Sequence, residues 1–477
     1  MNKLKKVFIS GTFNVLHPGH LRLFKYAKEL GDFLIVGITN EEFSKPPAFI
    51  SFQDRLESLA QCKLVDQVIR IDGPICDLID ELKPEIVLKG KEFENLENEE
   101  SKVLIKYGGA LFFSSGDHVF NSRDLLNVEN NFDSSKMLFP KNFVQRYSIT
   151  SDALTNRVRN FAEKRILVLG DVILDEYINC EPIGLSQEDG NVIASPIESF
   201  KFIGGAGIVA KHAQGLGAKT TFISVIGKDA TGEEVIGGFN ETGINSNFYY
   251  ELGRKTSLKK RFRLHQRPVF RVSELSPHEI NLENQKLIFE MLASTINQYD
   301  LIILSDFNYG VLGKDLVDKI LTLANFNQVI VAADCQSSSQ YGNIFKYKGV
   351  NLITPTEHEI RLALRNQDSG LAELSREFFD EMKVENLIMT LAADGLFLKS
   401  KSSKSMSQPE LIPSLTKNPV DVSGAGDSLL VISGLALVCG ASLEEAALLG
   451  SIGAAIQVQR VGNIPITSSD ILSCIIK

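Results

Sequence analysis

The sequence predicts an α/β protein that folds into two domains. Short apolar runs alternate with helical patterns through most of the chain, which is typical of βαβ units and a mainly parallel sheet. This rhythm lapses in one polar stretch, between about residues 127 and 163. The chain has 477 residues, and single domains usually contain about 100–200 residues, so its length also accommodates two domains.

The first half offers five strand-like apolar runs with helical segments between them. They are Val7–Ile9, Phe33–Ile38, Val65–Ile71, Ile86–Leu88 and Leu111–Phe113. We therefore assign residues 1–128 to a first domain.

A linker is predicted at residues 129–163, which are polar and contain Pro140 and several Asn and Ser residues. Its second part carries the signature of a helix that begins near Thr150-Ser151-Asp152. The strand-like rhythm restarts at Ile166, so residues 164–477 are assigned to a second domain.

The second domain repeats the alternation and ends in a Gly/Ala-rich helical region. Its further strand-like runs are Phe222–Ile226, Leu301–Leu304, Val329–Ala333, Leu352–Ile353 and Leu387–Leu391. Residues 400–419 are rich in Ser, Lys and Pro, so we predict an exposed loop there.

Composition limits the class of partner. The net charge of −9 argues against broad binding to nucleic acid or to an anionic membrane, although a local pocket can still be basic. The six cysteines form no CxxC pair, and their scattered positions suit a reducing cytosol. The apolar N-terminal run breaks at Ser10-Gly11, which argues against a signal peptide, and no run approaches the ~18–20 apolar residues of a membrane span. We expect a cytoplasmic protein.

The first candidate site follows the first predicted strand. Gly11, Thr12 and Phe13 lead into a helix that we expect to begin near Pro18. Free N–H groups at a helix start, together with the helix dipole, bind anions. His17 and His20 are three residues apart, so both imidazoles could reach the same phosphate.

This segment, GTFNVLHPGH, resembles the GxFDxxHxGH motif of the cytidylyltransferase-like nucleotidyltransferases, and the similarity covers about residues 5–128. The resemblance implies a Rossmann-like α/β fold with nucleotide bound at Gly11, Thr12 and Phe13. It implies catalytic roles for His17, His20 and Lys45, and it places Arg55 near the triphosphate.

Two downstream segments extend the resemblance. Residues 87–93, VLKGKEF, resemble the LVKGxDY segment of the adenylyltransferase domain of the bacterial ADP-heptose synthases, which implies nucleotide binding by Lys89 and Gly90. Ser122 stands where the family usually has an STT-like motif. Asn14 replaces the usual Asp, so the nucleotide stays open between ATP and CTP.

The second candidate site lies in the segment DVSGAGDS, residues 421–428. Gly424, Ala425 and Gly426 bring backbone N–H groups together at a helix start, which suits a transferring γ-phosphate. Asp427 could accept the proton of a sugar hydroxyl, as phosphoryl transfer to an alcohol requires. The sequence has no GxxxxGK[ST] motif, so a P-loop kinase is not supported.

Together with two upstream segments, this motif resembles the PfkB/ribokinase family over about residues 164–477. Gly170-Asp171 with Asp175 resembles GDxxLD, and Gly204-Gly205-Ala206-Gly207 resembles the glycine-rich motif of that family. The resemblance implies a ribokinase-like α/β sandwich with a small β lid, for which residues 180–200 and 245–275 are our candidates.

The same resemblance supplies residue roles. It implies that Asp427 is the base, that residues 424–426 form an anion hole, and that Glu359 organises Mg²⁺ through water. Substrate binding would fall to Asp171, Asp175, Gly204, Gly205, Arg261, Arg263 and Arg271.

The kinase halves of ADP-heptose synthases are the relatives that the motifs favour, but four positions depart from their pattern. Ile208 replaces a sugar-binding Asn, Tyr309 and Gln336 each replace a Lys, and Thr356 replaces an Asn. Loss of polar contacts weakens discrimination between sugars.

The sequence therefore predicts a bifunctional sugar-activating enzyme, with the two domains in the reverse of the familiar order. One half would phosphorylate a sugar with ATP and Mg²⁺, with heptose 7-phosphate as a candidate. The other half would couple a sugar 1-phosphate to a nucleotide. The alternatives are a nucleotidyltransferase for another sugar or polyol phosphate with a diverged kinase, and a pseudokinase that regulates or dimerises. We also expect a homodimer formed through the lid.

Overall fold

The chain is described here from a computed structural model. The structure describes residues 4–13, 18–40, 51–90, 98–113, 137–185, 192–240, 242–264, 267–336, 342–401, 410–416, 419, 421–460 and 462–475. The chain forms two compact units: the first contains residues 1–136, 364–378 and 404–413, and the second contains residues 137–363, 379–403 and 414–477.

The first unit is a parallel sheet with helices between successive strands. Its strands are β1 Lys6–Gly11, β2 Phe33–Thr39, β3 Gln67–Ile71, β4 Ile86–Lys89 and β5 Ala110–Phe113. Its helices are α1 Pro18–Leu30, α2 Phe52–Ala60, α3 Ile75–Leu82 and α4 Glu99–Ile105. The strand order is β3-β2-β1-β4-β5, and every pair is parallel.

Both faces of this sheet are covered, as a parallel sheet requires. Alternate residues of β1 enter two separate apolar clusters: Val7 and Ile9 belong to one, and Phe8 belongs to the other. The strand order reverses direction at β1, which lies between β2 and β4. Ligands of open α/β sheets bind at such a switch point, outside the carboxyl ends of the strands.

The chain from residue 137 onward forms a larger sheet and a smaller one. Its strands are β6 Arg165–Gly170, β7 Val172–Leu185, β8 Val192–Gly205, β9 Lys219–Ile226, β10 Asn245–Tyr250, β11 Ser257–Leu264, β12 Arg267–Glu274, β13 Leu301–Asp306, β14 Ile330–Cys335, β15 Leu352–Ile353, β16 Asn386–Thr390, β17 Leu396–Ser400 and β18 Glu410–Ile412. Its helices are α5 Lys141–Arg146, α6 Ser151–Asn160, α7 Ala206–Gly215, α8 Ala230–Gly237, α9 Leu282–Thr295, α10 Lys314–Asn327, α11 Glu357–Leu364, α12 Leu371–Met382, α13 Ala425–Val438, α14 Leu443–Gln457 and α15 Ser468–Ile475.

The larger sheet has nine strands in the order β10-β9-β6-β13-β14-β15-β16-β17-β18. Its interior strand β13 is buried along its whole length, as expected for a parallel strand that is covered on both faces. β18 corrects the expectation of an exposed loop at residues 400–419. Residues 410–412 pair at the sheet edge, and Ile412 and Leu415 are buried, so two apolar side chains anchor a segment that is polar on average.

The smaller sheet has four strands in the order β12-β11-β7-β8, and it confirms the expected small β lid. Its boundaries differ from the expected residues 180–200 and 245–275. β7 already begins at Val172, and β10 belongs to the nine-stranded sheet. Composition missed these limits because the lid strands mix charged and apolar residues.

Helices occupy part of the segment predicted as the linker. Thr150 caps α6 by accepting a hydrogen bond from the Ala153 N–H at 3.1 Å, which confirms the helix expected near this residue. Phe143 and Phe161 are fully buried within the second unit. Among the helices that the structure describes, none is long and apolar enough to cross a bilayer.

Candidate active sites

The first candidate site lies at the switch point of the five-stranded sheet. β1 ends at Gly11, and its parallel neighbour β4 ends at Lys89. The residues predicted to bind nucleotide, Gly11 to Phe13 and Lys89 to Gly90, therefore lie at one edge of the sheet. The His20 ring contacts the Phe13 ring edge-on, with centroids 5.0 Å apart. His17, Lys45 and Ser122 lie outside the described residues, so their predicted roles stay predictions.

Arg55 is a buried cation behind this edge, with only 1% of its surface exposed. Its Nη1 donates to the carbonyl oxygens of Thr12 at 2.7 Å and Thr39 at 3.0 Å. It thereby ties together the chain segments that follow β1 and end β2. Phe13, next in the chain, has a φ of 47°, a conformation that non-glycine residues adopt rarely. The contacts described for Arg55 support a role in shaping the loop that is predicted to bind nucleotide.

Lys89 is held by acidic and amide side chains. Its Nζ lies 2.7 Å from Glu100 Oε1 and 2.8 Å from Asn98 Oδ1, and only 14% of its side chain is exposed. This pairing orients the ammonium at the end of β4. Sequence spacing could not reveal it, because Glu100 is on the helix that follows residues 91–97.

The second candidate site surrounds the start of α13. Gly424 caps this helix with a φ of 77°, and space is open within 4 Å of a Cβ built at Gly426. The N–H groups of a first helical turn have no partner within the helix. Asp427 lies in this turn, and burial, reinforced by the charge of Asp175, raises its pKa to about 7. A carboxylate with this pKa suits proton transfer near neutral pH.

Asp175 lies on β7 and is almost completely buried. Its Oδ1 accepts hydrogen bonds from Arg261 Nε at 3.2 Å and Nη2 at 2.9 Å, and its Oδ2 accepts one from Asn463 Nδ2 at 3.1 Å. A side chain at Gly204 would overlap the Asp175 carboxylate, so glycine is required there. Gly205 precedes α7 as its N-cap.

Asp171 is buried and accepts three backbone hydrogen bonds. Its Oδ2 accepts from the N–H groups of Phe307 at 2.9 Å and Tyr309 at 3.1 Å, and its Oδ1 accepts from Val311 at 3.1 Å. Burial and the neighbouring Asp306 raise its pKa to about 6. An ionised carboxylate has about four acceptor positions, so the loop after β13 occupies most of the acceptor positions of Asp171. The contact between Asp171 and the sugar stays a prediction.

The same loop is held from its other side by Asp306. Lys346 Nζ lies 2.5 Å from Asp306 Oδ2, and the Tyr347 hydroxyl donates to the same oxygen at 2.8 Å. The Asp306 and Lys346 side chains are 1% and 9% exposed. Sequence reasoning missed this buried ion pair, since its partners are separated by a helix and a strand.

Glu359 lies in the first turn of α11, and its charge acts on the carboxyl group of Asp334. Its Oε2 accepts hydrogen bonds from Thr356 N at 2.8 Å and Thr356 Oγ1 at 2.9 Å. The pKa of Asp334 is raised well above its ordinary value by burial and then by the charges of Glu359 and Asp427. A cation held directly or through water would relieve this repulsion. Among the described residues, no group of three or more His, Cys, Asp or Glu side chains is arranged to ligate a metal directly.

A cavity of about 400 Å³ opens between the lid and the loop after β13. It is lined by Lys259, Lys260, Arg261, Arg271, Ser273, Leu275, Pro277, Phe307, Asn308, Tyr309 and Gln336. Two of the predicted substrate-binding arginines, Arg261 and Arg271, are among these residues. Arg263 instead stacks its guanidinium over the ring of Tyr177, 5.7 Å from the centroid. Ile208 is fully buried in α7.

The two folds and sites define a protein that joins a nucleotidyltransferase-like domain to a carbohydrate kinase domain. Residues 8–110 match the cytidylyltransferase-like family model, and residues 163–470 match the model of the pfkB family of carbohydrate kinases. The chain belongs to the pfkB family. These matches confirm both predicted families and their order along the chain.

Curated relatives and solved structures agree with this assignment. The chain is 31% identical over 313 residues to "Bifunctional protein HldE" of Sulfurimonas denitrificans, covering 64% of this chain and 63% of the relative. The protein of the same name from Nitratiruptor sp. is 30% identical over 310 residues, covering 64% of each chain. The matches thus span less than two thirds of these relatives.

Two solved structures share the fold of the second unit. A carbohydrate kinase from Agrobacterium tumefaciens has a TM-score of 0.52 and 20% identity, covering 65% of this chain and 97% of that one. A ribokinase from Thermotoga maritima has a TM-score of 0.51 and 23% identity, covering 66% and 100%. The predicted ribokinase-like α/β architecture is confirmed.

Proposed function

We propose that the chain is a bifunctional sugar-activating enzyme. The second unit would transfer the γ-phosphoryl group of ATP to a sugar hydroxyl, with heptose 7-phosphate as the first substrate to test. The first unit would couple a sugar 1-phosphate to a nucleotide and release pyrophosphate. The observation that carries the proposal is the placement of Asp427, whose pKa is about 7, in the first turn of α13.

The kinase step follows from this placement. Asp427 accepts the proton of the sugar hydroxyl while the hydroxyl oxygen forms a bond to the γ-phosphorus of ATP. The bond between the γ-phosphorus and the bridging oxygen of the β-phosphate breaks, so that ADP leaves. The unpartnered N–H groups around Gly424 to Gly426 stabilise the negative charge on the transferring group. Asp175 orients the sugar, since Arg261 and Asn463 hold its carboxylate in place.

Magnesium fits beside this step. When bound, it neutralises charge on the phosphate oxygens of ATP. Glu359 and Asp334 would hold it through water, because their mutual repulsion favours a cation between them. Mg²⁺ and ATP are thus the proposed cofactor and cosubstrate of the kinase unit.

The transferase step would take place at the switch point of the first unit. The backbone of Gly11 to Phe13 receives the nucleotide phosphates, and His17, His20 and Lys45 neutralise charge at the reacting α-phosphate. Lys89 and Gly90 contact the nucleotide from the end of β4, and Ser122 adds a hydroxyl. ATP is the first nucleotide to test, and CTP is the second.

Two magnesium-containing incubations, followed by mass spectrometry, test both activities. The first contains heptose 7-phosphate and ATP, and the second contains heptose 1-phosphate with ATP or CTP in turn. A bisphosphate in the first and a nucleotide-sugar in the second would support the proposal. If neither product forms, the heptose assignment is wrong. A wider panel of sugar and polyol phosphates would then be tested.

Replacing Asp427 with Asn tests the catalytic assignment. Removal of a general base lowers rates by about 10²–10⁴-fold, so we expect that loss in ATP-dependent sugar phosphorylation. Nucleotidyl transfer should stay unchanged in the same preparation, which controls for folding. Unchanged phosphorylation would remove Asp427 from the mechanism, and a parent protein without any phosphorylation would favour the pseudokinase alternative.

We also propose that the chain forms a homodimer through the lid. The lid carries large apolar side chains that stay exposed, including Ile183, Ile197 and Phe270, and exposed apolar patches are typical of interfaces. Sedimentation velocity over a concentration series measures the state directly. Ile197→Lys should shift the protein toward monomer, while an unchanged sedimentation coefficient would contradict the assignment.

A further inference from the structure

The segment before α13 is held in place by the end of α14 and by the residues that follow it. The Asp421 N–H donates to the Val458 carbonyl at 3.1 Å. The Asp421 carboxylate accepts from the Gly462 N–H at 3.1 Å and from the Ser423 N–H at 3.1 Å. These bonds hold the chain as far as Ser423, which precedes the glycine that caps α13.

Gln457, the last residue of α14, contacts the same segment with its side chain. Its Nε2 donates to the Gly462 carbonyl at 2.9 Å and to the Ser423 carbonyl at 3.3 Å. Gln457 is fully buried, and a Cβ built at Gly424 would lie 3.4 Å from its Nε2. One amide group therefore donates to two backbone oxygens beside the start of α13.

Packing in the core does not explain a glutamine at this position. The Gln457 Oε1 is buried and has no hydrogen-bond partner among the residues that the structure describes. A buried polar atom without a partner lowers stability, and an apolar side chain of the same length would avoid that cost. What the amide adds here is its pair of N–H donors, one of which is directed at the segment that leads to Asp427.

The carbonyl of Ser423 and the N–H of Gly424 belong to one peptide unit. In a trans peptide these two groups point in opposite directions. Because the Ser423 oxygen points to the buried Gln457, the Gly424 N–H points away from it, and no described residue accepts its hydrogen bond. This N–H is one of the groups proposed to stabilise the transferring phosphoryl group.

The conformation of Gly424 does not fix this peptide by itself. Gly424 has a φ of 77°, and glycine adopts positive and negative φ about equally readily. If the peptide rotated, the Ser423 oxygen would lie where the Gly424 N–H now points, and it would repel the phosphate oxygens. Among the described residues, only Gln457 donates to the Ser423 carbonyl, so the orientation of the peptide depends on this contact.

We propose that Gln457 is a positioning residue of the kinase step. Its amide holds the peptide between Ser423 and Gly424 with the N–H directed toward the γ-phosphoryl group and the carbonyl directed away from it. Gln457 contacts neither substrate, and its effect on the reaction passes through this one peptide. The proposal rests on the proposed kinase function, in which the N–H groups of residues 424–426 stabilise the transferring group.

The test compares Gln457→Met with a matched control at Gln285. Methionine is as long as glutamine and lacks its donors. Gln285 is a buried glutamine of α9 whose Nε2 donates to the Ile280 carbonyl at 2.8 Å, so Gln285→Met removes a similar bond elsewhere in the second unit. Gln457→Glu is a second test variant, and it replaces Gln457→Met if that protein does not fold. It keeps the shape of the side chain and can donate to at most one of the two carbonyls.

Kinetics are measured with ATP and heptose 7-phosphate, or with another acceptor if the wider panel identifies one. A misplacement of about 1 Å at a reacting group can lower a rate about 100-fold. We expect both Gln457 variants to lower kcat about 10- to 100-fold, with KM for ATP and for the sugar within about threefold, because the affected N–H acts mainly in the transition state. Gln285→Met should keep the parent kcat. An unchanged kcat in the Gln457 variants, or an equal loss in Gln285→Met, would overturn the proposal.

Crystal structures separate the proposal from the kinase function. The parent and Gln457→Met are crystallised with an ATP analogue whose β,γ-bridging oxygen is a methylene group, and the positions of the Ser423 carbonyl oxygen are compared. We expect this oxygen beside residue 457 in the parent and a rotated or disordered peptide in the variant. If that difference is found and the parent phosphorylates no sugar, the orienting role of Gln457 holds and the kinase function fails. The same peptide orientation in both proteins would overturn the proposal whatever the kinetics.

Discussion

Asp171 provides a direct test of the loop that closes one side of the kinase cavity. Its carboxylate accepts the N–H groups of Phe307, Tyr309 and Val311. Asp171→Asn and Asp171→Ala both remove the charge, so the cost of burying it cancels in their comparison. The Asn carbonyl oxygen can still accept the two N–H groups now bound by Oδ2, whereas Ala accepts none.

The magnitude follows from the number of N–H groups left without an acceptor. Each buried donor without a partner costs about 1–3 kcal/mol. Asp171→Ala leaves two more N–H groups without an acceptor than Asp171→Asn does. The loop should therefore be at least about 2 kcal/mol less stable in Asp171→Ala, which corresponds to an opening constant about 30-fold larger. Hydrogen exchange read by mass spectrometry over residues 306–312 measures this ratio. Equal exchange rates in the two variants would refute the hydrogen-bonding role.

In the parent protein, the stability of this loop should also depend on pH. The pKa of Asp171 is raised from 3.8 to about 6 in the folded protein, so the folded state binds this proton more tightly than the unfolded state does. Its contribution to stability is therefore present below about pH 4 and is lost as pH rises through about 6. Asp171→Asn should lack this change, and a parallel pH response in both proteins would contradict the assignment.

Three further predictions concern other parts of the chain. Asp427 must be ionised to accept a proton, and its pKa is about 7. The kcat/KM of phosphorylation should therefore rise about tenfold per pH unit below pH 7 and level off above it. A flat profile from pH 5 to 8 would contradict this prediction. Arg55→Met should lower the free energy of unfolding of the first unit by about 2–4 kcal/mol and abolish nucleotidyl transfer, because the partly buried carbonyls of Thr12 and Thr39 lose their donor. Phosphorylation by the second unit serves as the control, and an unchanged free energy of unfolding would contradict the role of Arg55. Gly310→Ala should strongly lower the melting temperature of the second unit, because a Cβ there meets the His278 carbonyl at a φ of 99°, whereas Gly237→Ala, which has open space within 4 Å, should not; similar melting temperatures would refute the geometry.

Local sequence patterns predicted most strands of the five-stranded and nine-stranded sheets. Apolar runs marked β2, β5 and β13 to within two residues at each end, because buried strands of a parallel sheet are apolar on both faces. The lid was located less well, since its strands face the site on one side and are partly exposed on the other. Residues 410–415 show the same limit, because two buried side chains, Ile412 and Leu415, do not stand out in a segment that is polar on average.

The site was predictable only where its chemistry is contiguous in sequence. Asp427 could be found because the glycines that make its helix start lie beside it. The hydrogen-bond partners of Asp171 lie more than 130 positions away in the sequence. Lys259 comes to lie beside Asp175 only because β11 pairs with β7. Such contacts depend on which strands pair, and pairing is decided by the whole fold.

The helices before residue 164 have a practical consequence for separating the two activities. Phe143, Leu154, Val158 and Phe161 are buried within the second unit, and each buried side chain of this size contributes about 1.5–3 kcal/mol. A fragment that starts at residue 164 would expose their binding surface and should aggregate. A fragment that starts near Met137 keeps these side chains, so expression trials of a separate kinase should begin there.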